Sequence, residues 1–135
     1  MAQVADHDQN RVLVIEKDAH TAYLLDYVLT REGFVVLSTN SCQSACIMMH
    51  TIPPPRVVFL DLHLSLEHDF SFLHRLRGMP GWQSTPVILL SENYAYHDID
   101  PALQAGATDY IVLPFNPAEL MVHMQRHPAE TGTRP

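Results

Sequence analysis

Five short apolar runs, rich in β-branched residues, alternate with segments that carry helical signals. The runs are RVLVI at 11–15, FVVL at 34–37, RVVFLDL at 56–62, TPVILLS at 85–91 and DYIVL at 109–113. A short unbroken apolar run is typical of a strand buried on both faces. Such strands pair in parallel, and each parallel pair needs a crossover connection, usually a helix. The alternation therefore predicts a doubly wound α/β domain with a five-stranded parallel sheet.

The segments between these runs carry signals for the starts and ends of helices. Gly33 can end the first helix, and either Asn40 or Ser41 can cap the second. DFSFLHRLRG predicts a third helix that ends at Gly78, and NPAELMVHMQRH predicts a last helix with proline at its first position. Between them, Pro101 interrupts the helical pattern of ENYAYHDIDPALQ. We therefore expect a short fourth helix with Asp100 as its cap and Pro101 at its first position, preceded by a loop or a separate turn.

The length of 135 residues suits one domain with one hydrophobic core. The expected domain is 11–127, flanked by polar tails at 1–10 and 128–135, which are too short to fold. No output module is expected after the domain. Output would therefore go through a partner protein or an oligomer.

The formal net charge is −7 with the histidines neutral. Because binding to a nucleic acid backbone needs clustered Lys and Arg, direct nucleic acid binding is not expected. The sequence begins without the basic and apolar regions of a signal peptide, and no apolar run is long enough to span a bilayer. A cytoplasmic location is expected, and two cysteines four residues apart suit a reducing compartment.

Polar residues stand at the ends of several predicted strands. In open α/β sheets, ligands bind beyond the carboxyl ends of the strands. The residues at these ends are Glu16, Lys17, Asp18, Asp61, Leu62, His63, Ser91, Leu113 and Pro114. We expect the functional site to be built from this set.

Four segments of the chain, VLVIEKDA, VVFLDLHLS, TPVILLS and AGATDYIVLPF, carry a family resemblance. Together, over about residues 11–126, they resemble the receiver domain of two-component response regulators. The resemblance implies a flavodoxin-like (βα)5 fold with strand order 2-1-3-4-5. It also implies a single-domain response regulator in phosphorelay signal transduction, with no enzymatic activity beyond its own phosphorylation and dephosphorylation.

The resemblance implies a role for each strand end. Asp61 takes the phosphoacceptor position, Ser91 the switch hydroxyl and Tyr110 the aromatic switch. Glu16, Asp61 and the backbone carbonyl of His63 would hold Mg²⁺, and a histidine kinase or phosphotransfer protein would be the partner. The alternative for Asp61 is a solvated aspartate that merely ends a strand.

Two positions depart from the receiver pattern. Lys17 replaces the second residue of an acidic pair, and Leu113 replaces the lysine that precedes the proline, here Pro114. The site implied by the receiver pattern has three carboxylates and one lysine, with a formal charge of −3 + 1 = −2. In this chain, Glu16, Asp61 and Lys17 give a formal charge of −2 + 1 = −1. Mg²⁺ binding is therefore expected to be weakened, and phosphorylation to be weak or lost.

Lys17 suggests a specific hypothesis about the site. Its ammonium could take the metal's place and hold Asp61 in an ion pair, worth roughly 4 kcal/mol at about 4 Å before desolvation. The alternative is that the strongly hydrated ammonium extends into solvent. Glu92, directly after Ser91, adds negative charge that would face an incoming phosphodonor.

Three functions fit these observations. The chain could be a regulator phosphorylated on Asp61, or a pseudo-receiver that acts as a docking module without phosphate. A flavodoxin-like domain that binds a small anion is disfavoured, because EKDAHTA and not a glycine-rich loop follows the first strand.

The resemblance also implies an output face made by the fourth predicted helix, the fifth strand and the last helix. Tyr94, Tyr96, Ile99 and Tyr110 would form a partner surface there, for a downstream protein or a homodimer. The alternative is that these residues pack over the shortened helix.

Two further clusters contain possible metal ligands or cations. Cys42, Cys46 and His50 fall on one helical face and could bind a soft metal, although small buried packing residues are the alternative. His123 and His127 stand at the end of the last helix, where the helix dipole favours cations.

Overall fold

We describe residues 10–92 and 96–128 of a computed structural model. The strands are β1 (Arg11–Ile15), β2 (Val35–Thr39), β3 (Val57–Asp61), β4 (Val87–Ser91) and β5 (Asp109–Val112). The helices are α1 (Ala19–Arg31), α2 (Cys42–Met49), α3 (Leu62–Ser65), α4 (Ser71–Gly78), α5 (Tyr96–Gln104) and α6 (Pro117–Arg126). Most of the two predicted tails lies outside the described residues. None of the described helices has the length and apolar character needed to cross a membrane.

The five strands form one parallel sheet in the order β2-β1-β3-β4-β5. This confirms the predicted doubly wound fold and its strand order. β3 and β4 are buried along their whole length, as expected for central strands covered on both faces. Because all five strands run in the same direction, their carboxyl ends meet at one edge of the sheet.

Helices cover both faces of the sheet and divide the core in two. On one face, α2, α3, α4 and α5 pack against side chains such as Leu13, Val58 and Leu89. On the other face, α1 and α6 pack against alternating residues such as Val14 and Phe59. The division follows from the strand period of two, which sends successive side chains to opposite faces.

Side-chain caps begin four of the described helices, among them α1, α2 and α6. Asp18 accepts hydrogen bonds from the backbone N–H and the hydroxyl of Thr21, at 2.9 and 2.7 Å. Ser41, and not Asn40, caps α2, and Asn116 caps α6 immediately before Pro117. These caps satisfy backbone N–H groups that a helix start otherwise leaves without partners.

The prediction for the segment around Pro101 was wrong. α5 begins at Tyr96 and continues through Pro101, so the first half of the segment is helical and Asp100 is not a cap. Proline removes one helical hydrogen bond, but Ile99 and Ala102 are only 1% and 0% exposed and pack in the core. Burial of this apolar stripe accounts for a helix that the proline alone would disfavour.

The predicted aromatic partner surface is also corrected. Ile99 is buried, and Tyr110 is half-buried against the core beneath α2 to α5. Tyr94 and the side chain of Tyr96 lie outside the described residues. The positions of Ile99 and Tyr110 therefore favour packing in the core over a role in a partner surface.

β2 to β5 begin or end within two residues of the predicted runs, and the largest difference in structure follows β3. β3 ends at Asp61, and Leu62 begins the short helix α3, which the sequence pattern did not predict. The backbone then passes through His68, Asp69 and Phe70, all with positive φ, before α4 begins. α4 consequently starts without a side-chain cap.

Candidate functional site

Two carboxylates meet at the carboxyl edge of the sheet. Glu16 directly follows β1, and Asp61 is the last residue of the neighbouring strand β3. Their residues are only 4% and 6% exposed. The strand order therefore brings together two acidic groups that are 45 residues apart in the chain.

The two carboxylates are in hydrogen-bonding contact, and this changes the proton affinity of Glu16. Burial, followed by the contact with Asp61, raises the pKa of Glu16 to about 8. The backbone N–H of Asp18 donates to Glu16 Oε2 at 2.9 Å and partly opposes the rise. The raised pKa thus favours the protonated form of Glu16 at neutral pH.

The Asp61 carboxylate is oriented by two backbone groups. The N–H of His63 donates to Oδ1 at 2.9 Å, and the N–H of Lys17 donates to Oδ2 at 3.3 Å. The first bond makes Asp61 the N-cap of α3. Asp61 is therefore a held side chain and not a freely solvated aspartate at a strand end.

The hypothesis of a Lys17–Asp61 ion pair was wrong. Lys17 contacts Asp61 through its backbone N–H, and its residue is exposed. Among the described residues, no ion pair within 4.0 Å joins Lys17 to Asp61. Hydration favours the exposed ammonium over one placed between buried carboxylates.

The carbonyl of His63, the third predicted metal ligand, is drawn into α3. It accepts the backbone N–H of Leu66 at 3.3 Å, which leaves one lone pair for another partner. In the described part of the chain, no three His, Cys, Asp or Glu side chains are arranged to hold a metal ion. Of the predicted metal ligands, this edge thus presents two carboxylates and one partly used carbonyl.

The two predicted switch residues lie at different distances from the carboxyl edge of the sheet. Ser91 ends β4, is 2% exposed and lies one residue beyond Leu90, which pairs with Asp61. Tyr110 pairs with Leu89 within the sheet and is half-buried. Ser91 is therefore at the site edge, while Tyr110 lies further back along its strand.

Leu113 connects β5 to the site edge. Its backbone N–H donates to the carbonyl of Ser91 at 2.6 Å, and the Leu113–Pro114 peptide bond is cis. Its side chain is half-buried against the core beneath α1 and α6. An apolar wall therefore stands beside the two carboxylates.

A cleft of about 350 Å³ opens above Asp61, and we call it the acidic cleft. Its lining residues are Glu16, Lys17, Asp18, Thr21, Asp61, His63, Leu90, Glu92 and Leu113. Thr21 and Leu90 were not among the predicted strand-end residues. The Asp18 cap places Thr21 in the first turn of α1 and could have indicated it, whereas Leu90 lies within the strand and gave no signal.

Cys42, Cys46 and His50 do not form a metal centre among the described residues. The Cys42 thiol lies 3.5 Å from the carbonyl of Leu64, and both cysteines are free. Burial, and then the charge of Glu67, raises the pKa of Cys42 to about 12. Cys42 is therefore a packing residue with little thiolate character.

Alkylation of Cys42 is expected to be at least about 100-fold slower in the folded protein than in urea, because its thiolate is scarce at pH 8. Iodoacetamide labelling followed by peptide mass spectrometry measures the rate for each cysteine. The same protein in urea serves as the control. Equal rates for Cys42 in the two states would contradict this assignment.

The paired histidines lie at the opposite edge of the sheet. His123 and His127 stand at the C-terminal end of α6, as predicted. Asp109, which the sequence did not indicate, lies between them, with Oδ2 at 3.2 Å from His123 Nδ1 and 3.8 Å from His127 Nε2. Arg126 also contacts this oxygen at 3.0 Å. This cluster ties α6 to the start of β5.

Known sequences match the chain over almost all of the described domain. The family model described as the response regulator receiver domain matches residues 12–125. The transcriptional regulatory protein KdpE of Mycobacterium tuberculosis is 36% identical over 84% of this chain, and the phosphate regulon regulator PhoB of Escherichia coli is 29% identical over 85%. The chain spans about half the length of these relatives, 49% and 50% respectively.

Solved structures share the fold. The chemotaxis response regulator CheY4 of Vibrio cholerae has a TM-score of 0.78, with 21% identity over 87% of this chain and 98% of that one. The receiver domain of the histidine kinase PA1611 of Pseudomonas aeruginosa, described with a magnesium ion in its active site cleft, has a TM-score of 0.77 and 24% identity over 88% and 97%. Since the family model covers more than half of the sequence, this chain belongs to the response regulator receiver domain family.

Proposed function

We propose that this chain acts in a two-component phosphorelay, with Asp61 as the phosphoacceptor and with weak or absent Mg²⁺-dependent phosphorylation. The observation that carries the proposal is the held carboxylate of Asp61. It is 6% exposed, accepts two backbone N–H groups and lines the acidic cleft. A carboxylate held in this way has one orientation from which to attack a donor.

Receiver domains are signalling modules and generally not enzymes, and they interact with histidine kinases and downstream effectors. For this chain, we propose a histidine kinase or phosphotransfer protein as phosphodonor. We propose that a downstream protein, or a second copy, binds the face made by α5, β5 and α6. The net charge of −7 argues against direct nucleic acid binding.

The proposed chemistry is a displacement at phosphorus. An Asp61 oxygen attacks the phosphorus, the bond from phosphorus to the donor breaks, and an acyl phosphate forms on Asp61. Ser91 is the hydroxyl nearest the site edge in β4 and would donate to a phosphoryl oxygen. Leu113 has no ammonium to donate, so less of the developing charge is stabilised.

The residues present offer a limited fit to Mg²⁺. Two buried carboxylates in contact, one with a raised pKa, make an arrangement that a divalent cation would relieve. Glu16, Asp61 and the carbonyl of His63 would hold the ion, which supplies charge neutralisation to the phosphoryl oxygens when bound. Lys17 stands where a third carboxylate would strengthen the site, which supports weak binding.

A pseudo-receiver that docks proteins without phosphate is the second candidate. Leu113 and Glu92 favour it, because Leu113 stands in place of the lysine and Glu92 adds negative charge to the wall of the acidic cleft. We further propose 11–127 as the functional domain. A cytoplasmic setting, with Cys42 and Cys46 as free thiols, is part of both candidates.

Intact-mass measurement with phosphoramidate, with and without Mg²⁺, tests the proposal. We expect little adduct in the wild type, none in Asp61→Asn and clearly more with Mg²⁺ in Lys17→Asp. A wild-type adduct as complete as that of Lys17→Asp would show that Lys17 does not limit the reaction. No adduct in either protein would favour the pseudo-receiver, and an adduct retained in Asp61→Asn would exclude Asp61 as the acceptor.

A further inference from the structure

A second concave surface adjoins the acidic cleft, and we call it the apolar groove. It has a volume of about 320 Å³ and is lined by His20, Thr21, Leu24, Glu92, Leu113, Pro114 and Phe115. Thr21, Glu92 and Leu113 line both cavities, so the two are adjacent and share part of their walls, and we call the pair the depression. Leu24 is 38% exposed, which leaves apolar surface accessible in the groove.

The two ends of this depression differ in chemistry. Among the described residues, the wall of the acidic cleft contains the carboxyl side chains of Glu16, Asp18, Asp61 and Glu92, together with the ammonium of Lys17 and the imidazole of His63. In the apolar groove, Leu24, Leu113 and Phe115 supply the surface, and Glu92 stands at the border. The carboxylates of the acidic cleft would repel an anion. A wholly apolar molecule would leave these carboxylates without a partner.

The size of the depression favours a small ligand over a protein surface. Each cavity lies within the range of about 300–1,000 Å³ that is usual for small-molecule sites. A chain of a few methylene groups would lie along the groove and remove its apolar surface from water. A terminal ammonium would then lie in the acidic cleft, whose wall includes the carboxyl groups of Asp61 and Glu92.

We propose that this depression binds a small aliphatic ammonium compound, with its charged head in the acidic cleft and its carbon chain along Leu24, Leu113 and Phe115. The inference goes beyond the proposed function, since it requires neither phosphorylation of Asp61 nor Mg²⁺. It assigns to Leu113 a ligand contact, which its place between the two cavities supports.

A series of n-alkylamines from ethylamine to hexylamine tests the proposal, with binding followed by ¹H–¹⁵N chemical shifts without Mg²⁺ or phosphodonor. Affinity is expected to rise about threefold to fourfold with each methylene until the groove is filled. Alcohols of the same chain length are expected to bind at least about tenfold more weakly. The shifts should map to residues of the two cavities.

Matched variants separate the two ends of the site. Glu92→Gln is expected to weaken hexylamine binding about tenfold, while the gain in affinity per methylene group (the methylene increment) stays the same. Glu32→Gln, which changes an exposed carboxylate outside both cavities, should not weaken hexylamine binding. Leu24→Ser should reduce the methylene increment, whereas Ile47→Ser, an exposed apolar residue on α2, should leave it unchanged. Leu113→Lys places a tethered ammonium in the site and should abolish amine binding.

Equal affinity for amines and alcohols, or an affinity independent of chain length, would overturn the proposal. So would unchanged binding in Leu113→Lys, because the ligand would then lie elsewhere. Since no phosphodonor is present, any of these results would leave the phosphorylation assay with Asp61→Asn unaffected. The two proposals can therefore fail separately.

Discussion

Glu16→Gln is expected to raise the free energy of unfolding at pH 8 by on the order of 3 kcal/mol, and to change it little near pH 4.5. The pKa of Glu16 is raised from 4.5 in the unfolded chain to about 8 in the folded protein. Between these values the folded protein keeps a proton that the unfolded chain releases. Wild-type stability therefore falls as pH rises through this window, and glutamine, which cannot ionise, does not share the fall.

Urea unfolding at pH 4.5, 6 and 8 in the absence of divalent cations measures this effect. Glu32→Gln, at the exposed end of α1, is the control and should stay within about 0.5 kcal/mol of the wild type at each pH. A stability difference between Glu16→Gln and the wild type that does not change with pH would show that Glu16 does not titrate in this window. Added Mg²⁺ should reduce the difference at pH 8 if it binds between the carboxylates.

Arg77→Ala is expected to lower the free energy of unfolding by about 3–4 kcal/mol. The guanidinium of Arg77, from α4, donates to four backbone carbonyls. Its contacts are with Gly106 O at 2.7 and 2.9 Å, Thr85 O at 2.7 Å, Trp82 O at 2.9 Å and Gln83 O at 3.2 Å. These bonds tie α4 to the segments that precede β4 and β5. Their removal leaves partly buried carbonyls without a donor.

Gly106 shows how closely the chain approaches this arginine. A Cβ at Gly106 would lie 3.0 Å from Cγ of Arg77, and the φ of +132° is unfavourable for other residues. Arg77→Lys should recover only part of the free energy of unfolding that Arg77→Ala loses. The ammonium of lysine cannot reach several separated carbonyls at once, as the planar guanidinium of arginine does. Arg75→Ala, an exposed arginine on the same helix, is the control and should cost less than about 0.5 kcal/mol. A comparable loss in both variants would contradict the role of the hydrogen bonds.

The fold was largely predictable because its signals are local. The apolar runs that became β1, β3 and β4 are buried on both faces, and parallel pairing left few possible topologies. α5 was not predictable from its own sequence. Its continuation through Pro101 depends on the burial of Ile99 and Ala102 by other elements.

The candidate site was predictable in its members but not in their interactions. Glu16 and Asp61 stand at strand ends, so the parallel sheet places them at one edge. The sequence favoured an ion pair between Lys17 and Asp61, whereas the backbone N–H of Lys17 makes the contact and the residue is exposed. Charge alone did not show which part of Lys17 would approach Asp61.

By itself, the sequence determined the strand pattern, the parallel sheet and the strand ends that meet, since these depend on local hydrophobicity and on the direction of the strands. Only the tertiary structure decided that burial beside Asp61 raises the pKa of Glu16 and that Arg77 joins the two segments that precede β4 and β5. It also decided that Leu113 lines both the acidic cleft and the apolar groove. These features depend on burial and on distances between residues far apart in the chain, which no local pattern encodes.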